Sequence, residues 1–480
     1  AELAAAIASV TSDAATLTAA NTAADTSAAA VVTVPGQTYT LTTALDNKTM
    51  GTGADQAFAT DSLTAASDTF NVSDKVDGGA GDDTFFLTLN DNTADVSYTP
   101  SRITNFETLS ITNIDDAESI SVNASLMGLT GVENSASSKQ VYVTGVAAGT
   151  TLNAMANTSL TSVEVLGAGL TGADDTAVIS LTGNTGDITY KSSTAQDIEK
   201  AAFTVTGVNS GVITITDSGG NSAVKSATVS GSGSYDMEAA GTFDDVLETL
   251  DASANTGGVT FTATLSTGTV LTGGAGNDGL TGGAGNDVIK GGAGDDTLAM
   301  GSAGVDDING GAGNDTVTVT GLTEDDSIAG GDGVDTLVIG AAIAYDDEAT
   351  PTAIDDAVNI SGFETLRATT AAITQDMAAL TGIVTLQSSG TAAVPATGYV
   401  LTATEATDIA DYFAFGTSDI SGAGLDLTLA TDGAADSLNI HVGLDSAQTN
   451  ATAVKVDAVE IETALINSVG KDGNTITDFE

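Results

Sequence analysis

A nine-residue unit recurs seven times between Gly273 and Val338 of this 480-residue chain. The shared pattern is G-G-x-G-x-D-x-U-x, where U is an apolar residue. The copies begin at Gly273, Gly282, Gly291, Gly301, Gly310, Gly321 and Gly330. Met300 and the pair Val319 and Thr320 interrupt the spacing, and Leu322 to Glu324 replace loop glycines in the sixth copy. A period this short predicts a solenoid, in which each unit packs against its neighbours along the chain.

Each copy divides into a glycine loop and a short strand. Glycine at positions one, two and four permits turns that a Cβ would forbid, so carbonyl oxygens can converge on one point. The apolar residue at position eight predicts a short strand with one side chain turned inward. These apolar residues are Leu280, Ile289, Leu298, Ile308, Val317, Ile328 and Leu337. A generic Gly/Asp-rich turn region would not keep this register through seven copies.

Position six carries a carboxylate in every copy. Carboxylates beside converging carbonyl oxygens are ligands for a hard cation such as calcium. Two units form one coil, so loops two units apart should stack on the same edge, with about five calcium ions between stacked neighbours. We expect one edge to carry Asp278, Asp296, Asp315 and Asp335, and the other Asp287, Asp306 and Asp326. A phosphate-binding loop is disfavoured, because it would present amides and a Lys to an anion.

The charge balance restricts the partners. The chain has 64 acidic and 11 basic residues and a formal charge of −53, which argues against nucleic acid or an anionic membrane as a direct partner. Hydrophobic residues make up 41% and are mixed with the acidic ones, so the chain should fold. We find no run of about 18 apolar residues that would predict a transmembrane segment. The start, AELAAAIASV, lacks an initial Met and a basic region, which indicates a processed product or a fragment.

The sequence offers little for catalysis, and we predict that the chain is not an enzyme. It has no Cys, one His, and no G-x-S-x-G, H-E-x-x-H or Walker pattern. The single histidine, His441, lies in an alternating run that predicts a strand, where a structural role is expected. Three acidic pairs could be glycosidase carboxylates, but the scarcity of aromatic residues favours turns or calcium ligands. The pairs are Asp115 with Asp116, Asp174 with Asp175, and Asp244 with Asp245.

Short β-rich runs separated by Gly, Asn and Asp turns predict an all-β chain, a calcium-loaded parallel β-roll flanked by β-rich, solenoid- or sandwich-like modules. We divide it into an Ala/Thr-rich linker or end of an upstream domain (1–45), β-rich modules opened by one isolated repeat (46–270), the β-roll (271–338), and a β-rich module that ends incomplete (339–480).

A longer internal repeat supports this division. GGAGDD at Gly78 is followed by F-E-T-L at Phe106, as GGDGVD at Gly330 is followed by F-E-T-L at Phe363. We expect the Phe and Leu of each F-E-T-L to be core residues on a strand, and the alternative makes Glu107 and Glu364 additional cation ligands. The isolated repeat contributes Asp83 with Asp82 as a candidate site, although we identify no stacked neighbour for it in the sequence.

The repeats, together with the F-E-T-L phrases and the run ETLDASANTGGVTFTATL at Glu248 that leads into GGAGND, resemble the RTX-type S-layer proteins of Gram-negative bacteria. The resemblance implies a secreted protein at the cell surface, which binds several calcium ions and associates with copies of itself into a two-dimensional lattice. In that family an amino-terminal domain attaches the lattice to lipopolysaccharide and a carboxy-terminal segment directs type I secretion. We recognise neither segment here.

By that resemblance, the aspartates at position six are the calcium ligands. The position-five side chains are second candidates, namely Asn277, Asn286, Asp295 and Asn314. Two other functions stay open from the sequence. One is an RTX adhesin or biofilm-matrix protein, for which the unequal module spacings are less suited. The other is the calcium-binding part of a secreted RTX hydrolase, whose catalytic domain would lie outside these residues.

Overall fold

The structure is a computed structural model of the 480-residue chain. It describes residues 35–340 except 63–66, 72, 91–94, 115–118, 171–173, 238–245, 321 and 323–324. Beyond residue 358 it describes chiefly the strands, with side chains only at 359–367, 380 and 382–387. The first 34 residues of the predicted linker, and the pairs Asp115 with Asp116 and Asp244 with Asp245, lie outside the described residues.

The described chain is all-β, as predicted, and its single helical element is the 3-10 turn Gly167–Gly169. All strand pairs are parallel, and each strand pairs with one about a coil away, which is the topology of a parallel β-solenoid. One wall, sheet 1, has 15 strands. They are Thr38–Thr40, Gln56–Ser62, Thr84–Asn90, Thr108–Asn113, Gly131–Ser135, Thr151–Met155, Thr176–Thr182, Lys200–Thr206, Ser226–Gly231, Thr249–Asn255, Val270–Thr272, Val288–Ala293, Asp307–Ala312, Ser327–Asp332 and Ile360–Ser361.

Three sheets in succession form the opposite wall. Sheet 2 contains Asn47–Thr49, Lys75–Asp77 and Ile103–Thr104. Sheet 3 contains Val96–Tyr98, Ile120–Asn123, Val141–Val146, Thr161–Val165, Ile188–Ser192 and Ile213–Thr216. Sheet 4 contains Val208–Asn209, Ser234–Asp236, Val259–Thr262, Gly279–Thr281, Thr297–Ala299, Thr316–Val319, Thr336–Ile339, Thr365–Ala368, Thr385–Gly390, Asp411–Gly416, Ser437–Val442 and Thr463–Ser468.

After residue 361, sheet 5 takes the place of sheet 1. Its strands alternate along the chain with those of sheet 4 and are Ile373–Asp376, Tyr399–Glu405, Gly424–Thr431, Thr452–Ala458 and Thr475–Phe479. His441 lies on a strand of sheet 4, as its alternating sequence predicts. Sheet 1 runs without interruption through residue 270, where the sequence suggests a module boundary. The division into four segments stays a prediction.

The core is a set of apolar ladders between the two walls. In the roll, Leu280, Leu298 and Val317 are register partners on sheet 4, and each is fully buried. The seven apolar residues at position eight are all 0% exposed, so the predicted inward side chain is confirmed. Burying one such side chain contributes about 1.5–3 kcal/mol, and a strand of three residues buries only one or two. Each coil is therefore stable only when it is stacked on its neighbours.

A second ladder, made of amides, follows one edge of the coils that precede the roll. The Asn157 amide donates from Nδ2 to the carbonyl of Asn134 (2.8 Å), and its Oδ1 accepts from the backbone N–H of Ser137 (2.9 Å). Related buried asparagines lie near the ends of sheet 1 strands or, for Asn209, on the short sheet 4 strand that follows. We call this set the amide ladder: Asn113, Asn134, Asn157, Asn184, Asn209 and Asn255. The amide ladder ends where the roll begins. There the N–H of Ala275, in the first glycine loop, donates to the Asn255 carbonyl (2.8 Å).

Candidate calcium-binding rows

The aspartates at position six form two rows, one on each edge of the roll. Row 1 is Asp278, Asp296, Asp315 and Asp335, which directly precede sheet 4 strands. The backbone N–H of each of the first three donates to Oδ1 of the aspartate one coil later, at 2.8 Å for all three steps. The carboxylates are thus held in line by the backbone and not by basic side chains. The predicted stacking of alternate loops is confirmed for this edge.

Row 2 is Asp287, Asp306 and Asp326, which directly precede sheet 1 strands. Its steps are the same: Asp287 donates its N–H to Asp306 Oδ1 (2.9 Å), and Asp306 donates to Asp326 Oδ1 (2.7 Å). At its start, Thr269 donates both its N–H and its hydroxyl to Asp287 Oδ1, each at 2.7 Å. The two edges therefore separate the seven aspartates as the sequence predicts.

The second carboxylate oxygen indicates where a cation would bind. All seven aspartates are at most 3% exposed. In five of them Oδ2 is buried without a hydrogen-bond partner: Asp287, Asp296, Asp306, Asp315 and Asp335. In Asp278, the first of row 1, Oδ2 instead accepts from the N–H of Gly274 (2.7 Å). A buried, unpartnered carboxylate oxygen is costly unless a cation compensates it.

Glycine at position one makes room for such a cation. A Cβ placed on Gly291 would overlap both Asp296 Oδ2 and the carbonyl oxygen of Gly310 in the next coil. A Cβ on Gly310 would overlap Asp315 Oδ2 and the carbonyl oxygen of Gly330 in the same way. The free carboxylate oxygen and a carbonyl oxygen from the following loop therefore face the same small space. Only glycine leaves that space open.

The ligand chemistry fits calcium. Across the described residues, no three Asp, Glu or His side chains surround one point. The oxygens available in each gap are one carboxylate oxygen and backbone carbonyls, a mixed and flexible set that calcium accepts and that lacks the nitrogen and sulfur ligands of zinc. The bound ion would supply the positive charge that the buried carboxylates lack.

Burial and like charge both act against ionisation in the rows. Burial raises the pKa of Asp296 to about 7, and the carboxylates of Asp278, Asp315 and Asp295 add to the effect. Burial raises the pKa of Asp306 to about 6, with contributions from Asp287 and Asp326. The pKa values of Asp278, Asp315 and Asp335 are also raised, chiefly by burial. A cation in the gap would reverse these shifts.

The position-five candidates lie on the outside of the loops. Asn277 accepts the N–H of Asp295 on its Oδ1 (3.0 Å), Asp295 accepts that of Asn314 (2.8 Å), and Asn314 accepts that of Val334 (3.0 Å). On the other edge, Asn286 accepts the N–H of Val305 (2.9 Å). These side chains are exposed and bond to the following coil, whereas the aspartates of row 1 bond to the preceding one. In this geometry the position-five side chains serve as hydrogen-bond acceptors for the backbone of the neighbouring loop.

The isolated repeat at Gly78 has a stacked neighbour, which corrects the expectation that it stands alone. Asp55 donates its N–H to Asp83 Oδ1 (2.7 Å), and Gln56–Ser62 pairs with Thr84–Asn90 in register. The sequence of this neighbour, GTGAD at Gly51, is a reduced copy of the repeat that lacks the glycine at position two. Asp83 is 1% exposed and its Oδ2 has no partner, whereas its neighbour Asp82 is exposed.

The remaining candidates from the sequence have structural surroundings. Phe106, Leu109, Phe363 and Leu366 are buried, as expected for the core positions of F-E-T-L. Asp174 is an exposed ion-pair partner of Lys200 (2.5 Å), and Asp175 precedes a sheet 1 strand. Among the residues that the structure describes, no helix has the length and apolarity of a membrane span.

Comparison with known families agrees with the geometry. Four segments match the family of the RTX calcium-binding nonapeptide repeat, at residues 73–94, 267–298, 300–317 and 318–341. The first includes Asp83, and the last includes the irregular sixth copy. The match supports the RTX assignment for these repeats, and RTX repeats bind calcium and are typical of secreted, extracellular proteins. A comparison of the chain with curated proteins gives no match.

Proposed function

We propose that this chain is a structural, calcium-dependent cell-surface protein, whose solenoid is a unit of a two-dimensional S-layer lattice. The observation that carries the proposal is the pair of aspartate rows, in which carboxylate oxygens are buried without partners, and in row 1 share their space with glycine carbonyl oxygens of the next coil. A protein built this way completes its fold only where calcium is abundant. That condition holds outside the cell and suits export as an unfolded chain.

The mechanism is linkage between folding and metal binding. Without a cation, the rows hold like charges one coil apart, within a Debye length of about 8 Å, and the glycine loops are entropically costly to order. Calcium offsets both costs, and it stabilises the folded roll by mass action. A net charge of −53 would keep free subunits apart, and calcium would allow contact by screening and by bridging acidic surfaces.

An RTX adhesin or biofilm-matrix protein is the second candidate, and one observation favours it. Sheet 1 is a single stack of 15 parallel strands, which at about 4.8 Å per strand extends for about 70 Å. An uninterrupted solenoid of that length would serve as a stalk as readily as a lattice subunit. Neither candidate requires catalysis within the chain, and the calcium-binding part of a secreted hydrolase stays compatible with the same rows.

Negative-stain electron microscopy of the purified chain separates these functions. Samples in millimolar calcium, in equal magnesium, and in chelator would be compared. Ordered two-dimensional sheets that form in calcium and disappear with chelator are expected for the S-layer protein. Folded but solitary or fibrous particles in calcium would contradict the lattice and favour the adhesin. Particles of the same size and shape in all three conditions would contradict calcium-dependent folding itself.

A further inference from the structure

Two glutamates occupy row positions one coil beyond the last aspartate. Asp335 donates its N–H to Glu364 Oε2 (2.8 Å), and Asp83 donates its N–H to Glu107 Oε2 (2.7 Å). Within row 1, the same N–H is bound by the next aspartate. The register agrees, because the strands that follow these residues pair Thr336 with Thr365 and Thr84 with Thr108. The same hydrogen bond also joins Asp175 to Glu199 (3.1 Å), but only at Asp83 and Asp335 is the Oδ2 of the aspartate buried and unpartnered.

The space beside each glutamate has the features of the gaps inside the rows. Asp335 Oδ2 and Asp83 Oδ2 are buried and have no hydrogen-bond partner. A Cβ on Gly330 would overlap the Gly362 carbonyl oxygen and approach Asp335 Oδ2. A Cβ on Gly78 would likewise overlap the Asn105 carbonyl oxygen and approach Asp83 Oδ2. Each terminal gap therefore has a free carboxylate oxygen and a carbonyl oxygen, although the next coil has no G-G-x-G-x-D loop.

The F-E-T-L phrase fixes the position of each glutamate. The preceding Phe106 and Phe363 are 0% and 2% exposed, and the leucines two residues after the glutamates are buried as well. Phe106 also packs edge-on against Phe85 (5.5 Å between ring centroids). The glutamate is thus held between two core anchors, and its Oε1 is not used by the hydrogen bond from the aspartate.

Burial and like charge act on the aspartate of each terminal gap. Burial raises the pKa of Asp335, and Glu364 is among the charges that raise it further. Burial raises the pKa of Asp83, and Glu107 acts on it in the same direction. In the following coil the equivalent positions are Thr130 and Val384, neither of which carries charge. The row of acidic residues ends at the glutamate.

We propose that Glu107 and Glu364 are calcium ligands at two terminal sites. Glu364 closes the end of row 1 with Asp335, and Glu107 closes the corresponding site with Asp83 after the repeat at Gly78. The proposal rests on calcium binding by the repeats and not on lattice assembly. In both sites the glutamate holds the aspartate N–H with one oxygen and supplies the other to the ion. F-E-T-L is then the motif at which a run of calcium sites ends. The solenoid continues beyond it without metal sites of this kind.

The test counts calcium ions on the full chain. Glu107→Gln, Glu364→Gln and the double variant would be titrated with calcium by calorimetry, with native mass spectrometry as a second count. Glutamine keeps an oxygen for the aspartate N–H and removes the charge. We expect each single variant to lose one ion or to bind it about 10–100-fold more weakly, the range seen when a metal site is perturbed, and the double variant to lose two. Glu248→Gln, an exposed glutamate paired with Lys225 (2.7 Å), is the control and should lose none.

The proposal is overturned if the double variant binds calcium with unchanged number and affinity. A second comparison separates a ligand from a hydrogen-bond acceptor. For this comparison Glu107→Ala and Glu364→Ala are also made. If the glutamine variants bind calcium as wild type does while the alanine variants unfold more easily, the glutamates only accept the backbone hydrogen bond. Should a glutamine variant fold incompletely, the calcium dependence of its urea midpoint gives the ions taken up on folding, which should fall by one per variant. Loss of lattice formation alone would bear on the proposed function and leave this result intact.

Discussion

At the scale of single residues, each row aspartate uses its two oxygens differently. Oδ1 accepts the N–H of the coil before it, and in five of the seven Oδ2 is left buried without a partner, in four of these beside a glycine. A neutral side chain of the same shape would keep the first role and lose the second. The two roles can therefore be separated by substituting Asn for Asp.

Asp296→Asn should weaken calcium-driven folding. The Asn Oδ1 can still accept the Asp278 N–H, but the charge that faces the Gly310 carbonyl is removed. We expect the calcium midpoint of folding, followed by far-UV circular dichroism, to rise about 10–100-fold. Asp295→Asn is the matched control, because it removes the same charge from the adjacent, exposed residue and keeps the acceptor for Asn314. Equal effects of the two variants would contradict a ligand role for Asp296.

The raised pKa values predict an unusual response to acid. The pKa of Asp296 is raised to about 7 and that of Asp306 to about 6, so between these values and the ordinary aspartate pKa the folded chain holds protons that the unfolded chain has released. This contribution to stability is fully present below the unfolded pKa and is lost as the pH rises through about 6–7.

In chelator, the metal-free chain should therefore gain β-structure as the pH falls from 8 to 5, and circular dichroism would measure it. Protons and calcium compete for the same oxygens, so the calcium midpoint should rise over the same interval. Acidification that removes structure from the metal-free chain would contradict the assigned environment of the rows.

At the scale of elements, one edge of the solenoid is held in two different ways. In the coils before the roll, the Asn255 carboxamide accepts the N–H groups of Gly257 and Gly258 and donates to the Gly233 carbonyl (2.9, 3.0 and 3.0 Å). A carboxamide has donors and an acceptor, so the turn is satisfied without an ion. A carboxylate only accepts, so the turns of the roll need a cation.

The amide-ladder coils should therefore keep their structure when calcium is removed. Hydrogen exchange followed by mass spectrometry, with and without chelator, would compare strands such as Thr151–Met155 with roll strands such as Thr297–Ala299. We expect protection of the first group in both conditions, and protection of the second only in calcium. Loss of protection in both groups together on chelation would show that the solenoid is one calcium-dependent unit.

At the scale of the whole molecule, the net charge of −53 acts against association of copies. Calcium can oppose this repulsion by general screening or by specific binding, and the two differ in their dependence on the ion. Screening depends on ionic strength, whereas filling the rows requires an ion that accepts many flexible oxygen ligands, which magnesium does poorly.

Association should follow calcium and not ionic strength. Light scattering of the chain would be measured in millimolar calcium, in magnesium at the same concentration, and in sodium chloride of equal ionic strength. We expect large particles only in calcium. Equal association in sodium chloride would assign the effect to screening and remove the link between the rows and assembly.

The sequence by itself determined the fold class and the placement of the seven aspartates on two edges of the roll, because the nonapeptide is a local pattern. A glycine loop and one inward apolar residue recur at a fixed period, so the two edges followed from counting. The outward role of Asn277 and Asp295 did not follow, since neighbouring carboxamides and carboxylates look alike in a sequence. Their hydrogen bonds depend on which coil lies above and which below.

Only the tertiary structure decided the partners across coils of irregular length. Asp55 stacks on Asp83 across 28 residues, and Glu364 on Asp335 across 29, whereas one coil of the roll is 18 to 20 residues. The amide ladder was missed for the same reason, because its asparagines are spaced unevenly. Register between parallel strands is set by burial of the apolar faces. When the turns vary in length, this register cannot be predicted by counting residues along the sequence. The regular repeats could therefore be predicted from the sequence, and the positions where the rows end could not.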